Sequence, residues 1–504
     1  MLLNRKSRPV RAFLLIGTVF ILTVWFLNPN VLSFTHSPLG QSVGPSSCPC
    51  LPSPSSLASS PSVPEDETPR KPKPTLSLPE DYLKVPSERP FCANRFGIQY
   101  LENLRDAATE YCTPESASGI TCFHSQTVKS RVDSMCIGRN AVFDPEDKVF
   151  HLGCELSDTV QSNTRVPAPE WGSFETYMYE TGPGVILDSS LRLDGKDFHD
   201  KSAVSPADAK YTVLIKREGE GNLWHCLVEI FSAVMSMDVL QMSQRPHSSS
   251  PFFTPADRAN TQVVFLDDRT DGPYIDLWSI LGTRPIRRLA ELPKEETRFD
   301  NIIVPLAGGG NPLWEHVWEI HSCEDSALVR TFASRVLNVY DIPSHNEPRE
   351  GSQIIMTFID RASTRVLVNH QEYFEEIKSS FPHVTIQSVD FAAIPFSEQL
   401  KVLRQTDILV GVHGAGMTHG MFLRPRSTMV EILPADLNFK GFRNIAALMG
   451  HTYVRAHASP LPRGGSRKDW HGEDVFIEKD HFMEVMDVAI KSMYNRGERD
   501  YDAD

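Results

Sequence analysis

Three polar residues open a long apolar stretch: Asn222, His225 and Glu229 in GNLWHCLVEIFS (221–232). Steps of three and then four residues place them on one face if the segment is helical. A helix that begins just after a strand points its first turn at a sheet edge. There His225 or Glu229 could take the proton of an alcohol, with Asn222 beside the substrate. The plainer reading is a helix start whose polar groups bond to their neighbours. Two other stretches suit an anion. Asp360-Arg361-Ala362-Ser363-Thr364-Arg365 carries two guanidiniums four residues apart, and paired N–H groups of this kind grip phosphate oxygens bidentately. His413-Gly414-Ala415-Gly416 lies between two apolar runs; small residues let backbone amides approach an anion, and a helix start adds positive potential. A solvated basic face and a tight turn are the corresponding plain readings. Trp314 and Trp318 follow a triple glycine, and serve either core packing or as a platform for a sugar.

What is missing narrows the chemistry. The chain has no Walker loop, no G-x-S-x-G and no early G-x-G-x-x-G, which disfavours P-loop, hydrolase-elbow and Rossmann-epimerase readings. Asp-x-Asp occurs at the C-terminal tip, Asp502 and Asp504, and not in the body. No His/Cys spacing suits zinc. A diphosphate would then be neutralised by arginines and a helix start, so neither metal nor cofactor is expected. The formal net charge of -14 leaves no basic surplus for nucleic acid.

These residues must be held by elements that alternate. QIIMTFI (353–359), VTIQSV (384–389), DILVGV (407–412), TMVEIL (428–433) and TYVRA (452–456) read as strands. Helices are predicted at 369–380, 395–405 (with Ser397 as cap), 414–423 and 442–449. Such alternation implies right-handed βαβ units and a parallel sheet, with ligands beyond the strands' carboxyl ends. YTVLIK (211–216), QVVFL (262–266) and NIIVP (301–305) are predicted strands of the earlier half, with a helix over 222–242. The expected fold class is α/β, with two Rossmann-like doubly wound domains facing a cleft. The last helix, 481–494, is expected to fold back toward the first domain.

In this order the motifs resemble glycosyltransferase family sixty-one, which includes plant-type β-1,2-xylosyltransferases and the EGF-domain and O-mannosyl N-acetylglucosaminyltransferases. The resemblance covers about 122–453 and rests on Ser397-Glu398-Gln399, Thr406-Asp407, Val412 to His419, Glu431-Ile432 with Pro434, Arg361, Arg365 and Asn369, and Asn222 with His225. It implies a GT-B fold, an inverting mechanism and a nucleotide-sugar donor bound by the C-terminal domain. It also implies that Arg361 and Arg365 hold the donor phosphates, that His413 to Gly416 is the donor loop, and that Glu398 and Glu431 lie near the nucleotide. Arg131-Val132-Asp133 with Cys136 matches the family's Arg/Asp block loosely. Cys226-Leu227-Val228-Glu229 departs from the more usual acidic residue soon after the histidine.

The chain's beginning bears on where this chemistry happens. Ala12 to Leu27 is uncharged and almost wholly apolar, preceded by Arg5, Lys6, Arg8 and Arg11; a basic flank predicts a cytoplasmic N-terminus and a body on the far side. A cleaved signal peptide is the alternative. Thirteen of the 37 prolines fall in 38–90, the composition of an extended stalk. The expected plan is a cytoplasmic tail (1–11), a signal anchor (12–34), a Pro/Ser-rich stalk (35–90), an acceptor-side α/β domain (91–345), a nucleotide-sugar-binding α/β domain (346–475) and a C-terminal helix and tail (476–504). Of nine cysteines, Cys92, Cys112, Cys122, Cys136 and Cys154 cluster at the start of the body, and Cys226 and Cys323 lie deeper. In an oxidising lumen the cluster is expected to form disulfides, and Cys48 or Cys50 to link a homodimer. The expected protein is a single-pass type II Golgi membrane enzyme, with the endoplasmic reticulum as the alternative. It would move a sugar, xylose ahead of N-acetylglucosamine, from a UDP-sugar to a glycan or glycoprotein hydroxyl. The rival readings are a non-catalytic carbohydrate-binding protein on the same fold and a nucleotide-sugar hydrolase or epimerase.

Overall fold

The computed structural model describes residues 76–85, 89–158, 166–195, 205–344, 353–459, 472, 474–495 and 500–502. The expected anchor, most of the stalk, Cys48 and Cys50 lie outside the described residues.

Nine strands form the first sheet: β1 (Ala108–Glu110), β2 (Gly119–Ser125), β3 (Asp133–Asp144), β4 (Val149–Leu152), β5 (Leu191–Leu193), β6 (Tyr211–Ile215), β7 (Thr261–Phe265), β8 (Arg287–Arg288) and β9 (Thr297–Val304). Their order is β1-β2-β3-β9-β6-β7-β8, with β4 on β3 and β5 on β4. The three strands expected in this half are β6, β7 and β9, and they pair in parallel. The other side of the sheet corrects the doubly wound expectation: β1, β2, β3 and β9 are antiparallel, so the sheet is mixed. The cause lies in the cysteine-rich segment. Cys122 and Cys136 face each other across β2 and β3 and are bonded, which suits a hairpin and not a helical crossover. Cys112–Cys154 and Cys92–Cys323 complete three disulfides, and Cys226 is free and buried.

The second sheet is parallel throughout, ordered β11-β10-β12-β13-β14-β15. Its strands are β10 (Ile354–Ile359), β11 (Val384–Val389), β12 (Ile408–Val412), β13 (Thr428–Leu433), β14 (Thr452–His457) and β15 (Asp500–Asp502). The first five are those read from the apolar runs. β12 and β13 are buried along their whole length, as strands covered on both faces must be. Local details differ. The helix Phe396–Leu403 is entered from Pro395 with no side-chain cap, so Ser397 lies inside it. The segment after β12 is a 3₁₀ helix, Ala415–Phe422, tighter than the α-helix expected.

Leu223–Met242 is the long helix of the first half. It is apolar nearly all round and almost wholly buried, which is the pattern of a core helix. One hydrophobic cluster runs from this helix (Leu227, Ile230, Phe231) to Phe396, Leu400, Phe422 and Phe442 of the second half. The two sheets therefore share a core behind the site. The last helix, Lys479–Ser492, packs Phe482, Val485, Met486 and Ile490 on the second sheet. This corrects its expected return to the first domain: its apolar face complements Tyr373 and Ile377 of the helix His370–Ser380.

Candidate active site

Both anion-suited turns lie at the carboxyl edge of the second sheet, after β10 and β12. They meet. A Cβ placed on Gly414 would stand 2.7 Å from Arg361 Nη1 and 3.1 Å from Arg365 Nη2, and Gly414 has φ +151°. Only a residue without a side chain lets both guanidiniums close over this peptide. Arg361 Nε donates to the Thr364 carbonyl (2.9 Å). Arg365 itself has φ 54°, and its Nε is buried without a partner. Among the described residues no carboxylate faces either cation. Burial lowers the pKa of Arg361, and burial followed by the Arg361 charge lowers that of Arg365 to about 10. Two half-buried, mutually repelling cations favour an anion between them.

The turn is braced from below. His413 Nδ1 bonds to Glu431 Oε1 at 2.6 Å, and the Tyr453 hydroxyl donates to the other oxygen of Glu431. Glu431 is fully buried, so it orients His413 from beneath the rim. His419 bonds through Nδ1 to the Gly416 carbonyl (2.7 Å) and through Nε2 to Gln399 Oε1 (2.7 Å). Burial depresses the pKa of His419 to about 4, so the neutral ring donates its one N–H to one of these two oxygens at a time. Ala415 and Gly416 sit at the open start of the 3₁₀ helix, where the first amides lack intrahelical partners. Glu398 lies on the solvent-facing side of its helix and pairs with Lys401 (2.7 Å). Its neighbour Gln399 is the side chain that reaches the turn.

In the first half Asn222 caps the long helix, its side-chain oxygen accepting from the amides of Trp224 (3.0 Å) and His225 (3.4 Å). His225 Nδ1 lies 3.1 Å from Glu218 Oε2. Glu218 Oε1 accepts the Gly309 amide (2.8 Å), and a Cβ on Gly308 would come within 2.5 Å of that oxygen. The triple glycine thus lets a loop after β9 wrap this carboxylate closely. Glu229 lies behind the pair: its Oε2 accepts the Glu218 amide (3.3 Å). Burial, then the Glu218 charge, raises its pKa well above the usual carboxylate range. Of the expected pair, His225 reaches the open side and Glu229 supports from within. On the far side of the same loop Arg131 bonds Asp133 (2.8 Å), Glu315 and the Gly309 carbonyl (3.3 Å). Burial, then the Asp133 charge, pushes Glu315 to about 8.

A row of rings joins the two centres. His413 packs on Phe439 (5.0 Å between centroids) and Phe442 (5.4 Å); Phe442 meets Trp224 (5.9 Å); Trp224 meets Trp314 (6.0 Å); Trp314 meets His225 (4.7 Å). Trp314 is partly buried against the core. Trp318 is 61% exposed and lies edge-on to Phe439 (5.4 Å). Spacing alone did not single out Glu218, Gln399 or Tyr453. Glu218 hides in the acidic run REGEG, which reads as a solvated loop, and the others are brought in by strand pairing and loop packing.

A family model, Glycosyltransferase 61, matches residues 223–430. That span holds His225, the triple glycine, both arginines and the turn at Gly414. The EGF domain-specific O-linked N-acetylglucosamine transferase of Drosophila melanogaster is 24% identical over 446 residues, covering 80% of this chain and 78% of that protein. The Mus musculus protein of the same name is 26% identical over 222 residues, 43% of this chain and 41% of that one. Beta-1,2-xylosyltransferase RCN11 of Oryza sativa subsp. japonica is 23% identical over 400 residues, 69% and 70% of the two chains. The motif resemblance, the family model and these matches agree that the chain is similar to glycosyltransferases of family sixty-one.

Proposed function

We propose that this chain is an inverting glycosyltransferase of GT-B type that moves a sugar from a UDP-sugar to a hydroxyl. One observation carries the reading: Arg361 and Arg365 converge on Gly414, half-buried and with no carboxylate against them among the described residues. A diphosphate supplies the missing charge, and guanidinium forks bind its oxygens bidentately. In the reaction the acceptor oxygen attacks the anomeric carbon from the face opposite the diphosphate. Its proton passes to His225 Nε2, which Glu218 orients through Nδ1. The bond from the anomeric carbon to the diphosphate oxygen breaks, its electron pair leaves on UDP, and the two arginines balance the charge that develops there. Because guanidiniums supply this charge, the reaction is proposed to need no divalent ion.

The donor is proposed to carry xylose or N-acetylglucosamine, the two sugars in the relatives' names. Three disulfides in the described body support a secretory-lumen setting, and a Golgi membrane held through residues 12–34 remains the proposal. Calorimetry with UDP, followed by a UDP-sugar panel with and without EDTA, tests the reading. UDP binding that is lost in Arg361→Ala is expected. Unchanged binding in that variant, or turnover abolished by EDTA, sinks the metal-free diphosphate site. Carbohydrate binding with no UDP binding favours the non-catalytic reading instead.

A further inference from the structure

The hairpin tip Met178-Tyr179-Glu180 belongs to none of the motifs above. Its ends are joined by the bridge between Tyr177 and Thr181, whose amide-to-carbonyl distance is 3.2 Å. Tyr179 and Glu180 both take left-handed backbone, φ 65° and 54°, an arrangement that side-chain-bearing residues rarely adopt in succession. That turn brings the Tyr179 ring against His225, centroids 5.1 Å apart and planes at 90°. Trp314 stands on the same imidazole at 4.7 Å, and Glu218 holds Nδ1. Two rings and a carboxylate therefore border the imidazole. Yet Tyr179 remains 50% exposed and its neighbour Met178 63% exposed. The ring thus contacts the imidazole on one side and presents apolar surface to solvent on the other.

We propose that Tyr179 is an acceptor-positioning residue, whose ring with Trp314 forms an aromatic slot that takes the C–H face of a pyranoside and delivers its hydroxyl to His225. The inference rests on the proposed transfer reaction. A pyranose ring offers an apolar C–H face with hydroxyls around its edge, so stacking leaves the reacting oxygen free for the imidazole. Glycerol has hydroxyls and no such face.

The test uses the full chain, UDP-xylose and UDP-N-acetylglucosamine as donors, and 4-nitrophenyl pyranosides or glycerol as acceptors. Tyr179→Ala is expected to raise KM for the pyranoside about tenfold, the range for losing one aromatic contact. The small glycerol reaction should move less than twofold, and the UDP dissociation constant should hold. Tyr179→Phe should restore the parental KM, since the ring and not the hydroxyl makes the slot. Equal losses with both acceptors, or failure of phenylalanine to rescue, would overturn the slot. So would a parental enzyme that binds UDP and consumes donor but transfers to no pyranoside. Absence of UDP binding in the parent would instead reject the donor reading beneath it.

Discussion

Replacing Arg365 with glutamine should make the empty protein more stable and its UDP complex weaker. Most substitutions destabilise, so the sign is informative. Arg365 is about half-buried beside Arg361, has no acidic partner among the described residues, and its pKa falls to about 10 from burial and that neighbouring charge. A cation with a depressed folded-state pKa is a cost at every pH below that value, and the cost disappears as pH rises through it. Taken at face value the shift is about 3 kcal/mol. Solvent reaches much of the side chain and screens it, so about 1 kcal/mol is the reasonable figure. Glutamine keeps the stem volume and removes the charge. The melting temperature without ligand should rise by about 2 °C. A charge-assisted hydrogen bond contributes about 1.5–3 kcal/mol, so UDP affinity should fall about 10- to 150-fold. Differential scanning fluorimetry with and without UDP, with calorimetry for the affinity, reads both. A variant that melts lower and binds UDP as tightly as the parent refutes the idea of a cation pair kept for an anion.

Three further outcomes follow from the same geometry. Glu218→Gln should cut transfer about 100-fold, within the range for general-base support, while UDP affinity stays the same, because the carboxylate faces His225 and not the arginines; equal loss of both would move Glu218 to the donor side. The Glu315 carboxyl, raised to about 8 by burial and Asp133, holds its proton more tightly folded than unfolded. Its contribution is fully present below about pH 4.5 and is lost as pH rises toward 8, so Glu315→Gln should flatten the fall of melting temperature over that window; an unchanged slope contradicts this. Asn222→Ala should cost about 1 kcal/mol of stability through the lost cap, and Asn222→Asp should retain most of it in chemical denaturation.

The later half was legible because most strands there are short apolar runs, and β12 and β13 are buried on both faces. Such a run has one way to be satisfied, and β10 to β14 follow it closely. The first half was less so. β1 to β5 are short or half-polar, and their pairing is set by contacts far apart in sequence, such as β3 with β9. Arg361, Arg365 and Gly414 could be read because glycine and paired arginines have few other reasons to end two strands of one sheet. Glu229 lies deeper than its spacing suggests: helical spacing shows which face a residue shares and not how deep it lies, and this residue is 6% exposed. Glu218 was missed because an acid in a Gly-rich loop looks solvated until Gly308 and Gly309 close on it. Glu398 shows the converse: the resemblance implies a place near the nucleotide, while its helix turns it to solvent against Lys401.

The structure of the chain crystallised with UDP tests the central claim most directly. The diphosphate should lie between the Arg361 and Arg365 guanidiniums, against the Gly414 peptide, with the β-phosphate facing His225 across the row of rings. A diphosphate bound elsewhere, with both arginines unchanged around an empty rim, would contradict the account.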